Sequence, residues 1–149
     1  MLASNHGYGF KVQLKELLSK NKAGKLLINL SNGSTVLTPA LLDNEANLLA
    51  VATLQGRLLI FPLTELPALS KGKGNKLIQI PIADLAAGTD AVVAMIGVAE
   101  NNVLKVISGK QFVTLKSIDI AHYTASRAKR GLPLPRGFQR VDSLECVFD

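Results

Sequence analysis

A short basic stretch offers the clearest chemistry in this sequence. It occupies residues 71–76, reads Lys-Gly-Lys-Gly-Asn-Lys, and lies between apolar runs at 57–61 and 77–80. Its three ammonium groups repel one another, so a stable fold leaves them where water or a polyanion screens them. The two glycines allow the backbone to approach a partner closely. The pattern predicts a loop between two strands that contacts phosphate groups.

The other basic side chains are clustered in the same way. Of the 17 Lys and Arg residues, thirteen fall in three clusters, whereas residues 77–104 contain neither type. The clusters are Lys11, Lys15, Lys20, Lys22 and Lys25; Lys71, Lys73 and Lys76; and Arg127, Lys129, Arg130, Arg136 and Arg140. We expect DNA phosphate contacts at Lys20, Lys22, Lys25, Lys71, Lys73, Lys76, Arg127, Lys129, Arg130, Arg136 and Arg140.

Composition sets the class of protein and of partner. The 149 residues are 48% hydrophobic, which suits one domain with a sizeable core. A net charge of +6 favours acidic partners. The single cysteine, Cys146, allows neither an intrachain disulfide nor a cysteine-rich zinc cluster. With no membrane-length apolar run and no secretory signal, the sequence predicts a soluble cytoplasmic protein.

The basic clusters recur because the sequence repeats. Residues 2–7 and 14–17 match residues 51–56 and 63–66 at a constant offset of 49. A weaker third copy begins near residue 106, and its basic loop aligns on Gly74 at an offset of 57. The sequence therefore predicts three blade-like repeats, at about 1–46, 47–100 and 101–149.

Each repeat contains four short apolar runs that are typical of strands. The predicted strands are 2–4, 10–14, 26–30 and 36–42; 48–53, 57–63, 77–81 and 91–98; and 103–107, 111–115, 132–135 and 140–148. Short helices are expected only at 15–20, 82–87 and 118–125. Four strands in a repeat of about 50 residues indicate an all-β propeller of about three four-stranded blades. Since three blades do not close a ring, we expect a piece of a longer propeller.

Two features of the strands and loops bear on function. The run 57–63 is apolar on both faces, so we expect it to lie between neighbouring blades. All three basic clusters overlap the connection from second to third strand, which predicts a basic rim on one side of the disc.

The aromatic content bears on the kind of partner. Five Phe, two Tyr and no Trp offer few rings on which bases could stack, so duplex DNA fits better than single strands or RNA. The alternatives are loops that only maintain solubility, or a scaffold for an acidic protein.

Several segments together have a recognisable pattern: residues 2–4, 7–10, 61–62, 65–67 and 69–76, and the tail at 130–131 and 136–142. These segments resemble the C-terminal domain of the A subunit of DNA topoisomerase IV, a family shared with the A subunit of gyrase. The resemblance covers essentially the whole chain. It implies a β-pinwheel, a propeller-like disc whose blades exchange strands and which binds and bends duplex DNA around its basic rim.

The resemblance also implies a role and partners. It implies a DNA-binding domain that supports decatenation and relaxation in a bacterial, chromosome-associated enzyme. The partners would be duplex DNA, the rest of the topoisomerase IV A subunit and, through it, the B subunit; no membrane is involved. The gyrase box Gln-Arg-Arg-Gly-Gly-Lys-Gly does not occur here, although a missing blade could hold it, so a gyrase wrapping domain stays the alternative.

Catalysis is not expected from this chain itself. The family's DNA-cleaving tyrosine follows an arginine, whereas Tyr8 follows Gly7 and Tyr123 follows His122. We expect no catalytic residue, cofactor or metal in this chain, with ATP and Mg²⁺ acting in other domains or subunits.

Overall fold

The regular structure of this chain is mostly strand. The computed structural model describes residues 1–13, 28–30, 33–42, 45–69, 72–99, 102–138 and 140–148. Its strands are β1 Leu2–Ala3, β2 Tyr8–Phe10, β3 Ala46–Thr53, β4 Arg57–Pro62, β5 Asn75–Lys76, β6 Val92–Ala99, β7 Asn102–Ser108, β8 Gln111–Leu115, β9 Leu132–Pro133 and β10 Ser143–Phe148. The described residues also form the helices α1 Ile82–Ala87 and α2 Ser117–Tyr123 and a 3-10 turn Leu63–Glu65. Neither of these helices is long and apolar enough to cross a membrane.

The strands form three antiparallel sheets, and two of these sheets contain a strand from the following repeat. Their orders are β1-β2-β5, β6-β3-β4-β9 and β10-β7-β8. Thus β5, from the second repeat, completes the sheet of the first repeat, and β9, from the third, completes the sheet of the second. This exchange is the arrangement of a β-pinwheel, and it confirms the predicted all-β fold of propeller type. The repeat boundaries stay a prediction, since each of these two sheets draws on two repeats.

The strand registers repeat along the chain as the sequence does. In the first sheet Tyr8 pairs with Lys76, and in the second sheet Arg57 pairs with Pro133. Tyr8 and Arg57 are separated by 49 residues, and Lys76 and Pro133 by 57. These are the two offsets found in the sequence, so each exchanged strand docks on its neighbour in the same way.

Two glycines make the exchange possible. Gly74 and Gly131 have φ of +84° and +79°, in the region that favours glycine. Gly74 lies against the backbone of Gly9, and a Cβ added to Gly131 would stand 2.9 Å from the carbonyl oxygen of Leu58. Both positions therefore require a residue with no side chain, for its backbone conformation and for space.

The central sheet separates two hydrophobic cores. Alternate side chains of β3 and β4 point to opposite faces, as the period of a strand requires. One set packs with the first repeat: Leu49, Val51, Leu59 and Phe61. The other set packs with the third repeat: Ala50, Ala52, Leu58 and Ile60. All are 0% exposed. This confirms that the run apolar on both faces lies between neighbouring blades.

Some predicted strands differ from the structure. The predicted strand 77–81 is wrong, because β5 ends at Lys76 and the next residues bond to two different neighbours. The N–H of Leu77 donates to Gly7, and the N–H of Gln79 donates to Lys129. At 36–42 only Val36 forms a bridge, to Ser4; no regular strand forms there, and Pro39 has no N–H to donate.

The predicted helices agree better with the structure. Helix 82–87 is confirmed as α1, and the predicted helix 118–125 is α2, which begins and ends slightly earlier. The predicted helix 15–20 lies outside the described residues, as do residues 26 and 27 of the predicted strand 26–30. The described part, residues 28–30, forms no regular strand, and Ile28 forms a bridge to Gly72.

Tyr123 ends α2 inside the core between the second and third repeats. It is 6% exposed, and its hydroxyl donates to the carbonyl oxygen of Pro133 at 3.3 Å. Burial raises the pKa of the Tyr123 phenol above its usual 10.0, and the Asp119 carboxylate raises it further. The folded state therefore favours the neutral phenol.

We expect Gly131→Ala to destabilise the fold by about 3 kcal/mol, because the Cβ adds a backbone clash to an unfavourable φ. Gly109→Ala is the control: Gly109 has φ of +60° but open space around it, so about 1 kcal/mol is expected. Urea unfolding of both variants measures the difference. Equal losses would contradict the close packing of Gly131 on β4.

The Tyr123 environment predicts a loss of stability in alkali. The unfolded phenol titrates near 10, and the folded one titrates at higher pH because its pKa is raised. Stability is therefore fully present below about pH 10 and falls as the pH rises toward the folded value. Tyr123→Phe should remove this part of the pH dependence. The free energy of unfolding of both proteins is measured between pH 8 and pH 11. If it changes with pH by the same amount in both, the prediction is refuted.

Candidate nucleic-acid interface

The basic turn of the second repeat lies between β4 and β5. Lys73 is exposed, and its Nζ lies 4.2 Å from the centroid of the Tyr8 ring. Lys76 is half-buried, and its Nζ donates to Oε1 of Gln79 at 2.9 Å. Both ammonium groups thus bond to uncharged groups, so their positive charge is still available to an external anion.

The corresponding turn of the third repeat lies between α2 and β9. It carries Lys129, which is exposed, and Arg130, which is half-buried. Arg130 immediately precedes Gly131, just as Lys73 immediately precedes Gly74, and each glycine packs on the second strand of the preceding repeat. Lys73 and Arg130 therefore hold equivalent positions in successive repeats.

Each basic turn is bonded to the preceding repeat. The carbonyl of Lys129 accepts from the N–H of Gln79 at 2.8 Å, and the carbonyl of Gly72 accepts from the N–H of Asn29 at 2.8 Å. In addition, the N–H of Ala128 donates to Leu77 at 2.9 Å. The third turn therefore lies beside the segment that leaves β5, close in the chain to Lys76. The basic turns of the second and third repeats are therefore neighbours in the fold.

A cleft opens beside the third basic turn. Its volume is about 230 Å³, and its walls include Lys129, Arg130 and His122, with Leu59 and Leu132 among its apolar lining residues. The ring of His122, which is exposed, meets the Tyr123 ring edge-on. Two permanent cations beside an open cleft suit an anionic group such as a phosphodiester.

Arg127 behaves differently from its neighbours. Its Nε donates to the carbonyl of Glu65 at 3.1 Å, and its Nη1 donates to the carbonyl of Lys76 at 2.6 Å. Its backbone N–H donates to Oε1 of Glu65 at 2.9 Å. This arginine is therefore bound to the preceding repeat.

The structure places the predicted site residues in two groups. Lys73, Lys76, Arg127, Lys129 and Arg130 lie in or at the end of a connection from second to third strand, as predicted. The third cluster overlaps this connection only in part, because Arg136 and Arg140 lie outside it. Both follow β9, since that strand ends at Pro133. Their role in DNA binding stays a prediction, as it does for Lys20, Lys22, Lys25 and Lys71, which lie outside the described residues.

Two residues that support the basic turns were not identified from the sequence. Tyr8 lies under Lys73, and Nη1 of Arg57 donates to the carbonyl of Gly131 at 3.0 Å. They are equivalent positions on β2 and β4, separated by 49 residues. The repeat offset could have identified them as a pair, but only strand exchange explains what each of them contacts.

Comparison with known proteins agrees with this architecture. The family model described as "DNA gyrase C-terminal domain, beta-propeller" matches residues 1–43 and 47–99. The A subunit of DNA topoisomerase 4 from Pseudomonas aeruginosa is 46% identical over 145 residues, or 97% of this chain and 19% of the relative. The same subunit from Escherichia coli K12 is 38% identical over 145 residues, again 97% and 19%. This chain therefore spans about a fifth of the length of these curated relatives.

Solved structures show the same fold. The E. coli ParC C-terminal domain superposes with a TM-score of 0.88 at 37% identity, covering 99% of this chain and 60% of that chain. A DNA gyrase A C-terminal domain gives a TM-score of 0.75 at 16% identity, covering 98% and 47%, which is a likeness of fold alone. From the strand exchange, the family match and the identity to the topoisomerase relatives, we conclude that this chain belongs to the family of C-terminal β-propeller domains of the A subunits of gyrase and topoisomerase IV.

Proposed function

We propose that this chain is a duplex-DNA-binding module of the topoisomerase IV A subunit, which binds and bends DNA along its basic rim. The observation that carries the proposal is the equivalence of Lys73 and Arg130. Each stands on a turn just before a glycine packed on the preceding repeat. Equivalent cations at successive positions suit a polymer of regularly spaced phosphates.

The contacts would be to phosphates, with little reading of bases. The side chains concerned are lysines and arginines on turns, and the cleft beside Lys129 and Arg130 has room for a backbone phosphate. Such contacts position a duplex without specifying its sequence. Affinity should then depend strongly on salt and weakly on sequence.

Bending would follow from how the turns are held. Hydrogen bonds fix each turn to the preceding repeat, so the basic side chains are held in fixed relative positions. A duplex that contacts several of them must bend to reach them. Bending a site of 20–30 base pairs by 40–90° costs on the order of 1–6 kcal/mol, which several phosphate contacts can offset. A bent segment would help the enzyme capture a second duplex in decatenation and relaxation.

The remaining assignments belong to the whole protein. The proposed partners are duplex DNA, the rest of the A subunit and, through it, the B subunit, in the cytoplasm of a bacterium. DNA cleavage, ATP and Mg²⁺ would belong to other domains or subunits, and this chain would contribute binding alone.

We expect Lys73→Ala and Arg130→Ala each to weaken duplex binding on all sequences, because each removes one phosphate contact. Each change should reduce the slope of log K against log salt by about one, and the double variant by about two. Fluorescence anisotropy at several salt concentrations measures both quantities. Lys105→Ala is the control: it removes the same charge and a similar contact with an aromatic ring. Lys105 lies in β7, outside the basic turns, so the salt slope of this variant should stay unchanged.

Two results would contradict the proposal. One is a double variant that binds as tightly at low salt as the unchanged chain. The other is binding that does not depend on duplex length, since bending needs tens of base pairs. An acidic protein partner, the alternative from the sequence, would show no such dependence on length.

A further inference from the structure

We propose that Arg127 is a positioning residue that holds the two ends of the basic loop of the second repeat, between the 3-10 turn and β5, and so fixes the direction of Lys73. The inference rests on the proposed function, because the loop matters for DNA only if DNA binds there. It gives Arg127 a different role from the phosphate contact that its place in the third cluster predicts.

The geometry of Arg127 supports this role. Its guanidinium donates to the carbonyls of Glu65 and Lys76. Glu65 ends the 3-10 turn before the loop, and Lys76 ends β5, the strand that follows it. Its backbone N–H donates to the Glu65 carboxylate. One residue of the third repeat therefore holds both ends of a loop that belongs to the second.

The chemistry of arginine suits this task. A guanidinium is a rigid plane with five donors, so it can bond two carbonyls in a fixed geometry, whereas an ammonium is a point charge on a flexible stem. Donors that bond carbonyls are also not free to bond phosphates. The charge of Arg127 still adds to the potential of the rim, although its hydrogen bonds are directed inward.

The glycines of this loop give its backbone conformational freedom, which hydrogen bonds from Arg127 would restrict. Gly72 and Gly74 have φ of +134° and +84°, and glycine loses more conformational freedom on ordering than any other residue. Within the loop, the N–H of Leu69 donates to Lys11, and just after it the N–H of Leu77 donates to Gly7. Without Arg127, the base of the loop would lose the bonds that connect its two ends through the third repeat.

The test compares Arg127→Lys with Lys129→Ala in this chain. Arg127→Lys keeps the charge and loses the two-carbonyl geometry; Lys129→Ala removes a charge from the same turn and leaves its backbone bond to Gln79 intact. Duplex affinity is measured against salt, and amide hydrogen exchange is followed across the chain.

For Arg127→Lys we expect duplex affinity to fall about tenfold with little change of salt slope, because the geometry is lost and the charge is kept. The amides of Leu69 and Leu77 should exchange several-fold faster while those of β7 stay unchanged. For Lys129→Ala we expect a salt slope lower by about one and no change in exchange.

Three outcomes would overturn the proposal. These are an Arg127→Lys variant that binds DNA like the unchanged chain, exchange around Leu69 and Leu77 that does not change, or exchange that rises evenly everywhere. The last would make Arg127 a contact for general stability only. If the unchanged chain does not bind duplex DNA at all, the proposed function fails, and the exchange data alone decide whether Arg127 holds the loop.

Discussion

The fold depends on a single sheet being buried on both faces. Alternate side chains of β3 and β4 enter two different cores, one shared with the first repeat and one with the third. Burying a Val, Leu, Ile or Phe side chain contributes about 1.5–3 kcal/mol, and an isolated second repeat would lose the part of this burial that its neighbours supply. Met1 and Ala3 of the first repeat complete one core, and Leu104 and Val106 of the third complete the other. The central sheet is therefore fully buried only when both neighbours cover it.

Strand exchange connects this packing to the proposed DNA surface. The chain must leave β4, reach the first repeat to form β5, and return through α1 to β6. The basic turn lies on the outward part of that path, where Gly74 presses against Gly9. In the third repeat the chain leaves β8 and reaches the second repeat to form β9, and this path places Gly131 against Leu58. The placement of the positive charge is thus a consequence of how the repeats are joined.

Much of this architecture could be predicted from the sequence. Short apolar runs bounded by turn residues were sufficient for the central hairpin, β8 and α1, since these depend on local pattern. The position of β5 could not be predicted in this way. The run 77–81 has the composition of a strand, yet Leu77 and Gln79 bond to different repeats, and that choice depends on tertiary neighbours.

Some residues of the candidate site could be predicted from the sequence, and others could not. Charge clustering predicted Lys73, Lys129 and Arg130 as contacts, because basic residues grouped around a glycine are visible in the sequence. The hydrogen bonds of Arg127 to two backbone carbonyls could not be predicted, because every residue has a carbonyl and the sequence does not show which ones a guanidinium will reach. Arg57 was missed for a related reason: it is an isolated cation at the start of a strand, and only the exchanged β9 brings Gly131 within its reach.

The two-faced sheet has a consequence for shortened forms of this protein. A chain that stopped after β6 would uncover Leu58, Ile60 and their neighbours on one face and would leave one edge of β4 without β9. An apolar surface next to an open strand edge is a template for pairing with other chains. Such a truncation should yield aggregates instead of a smaller folded domain.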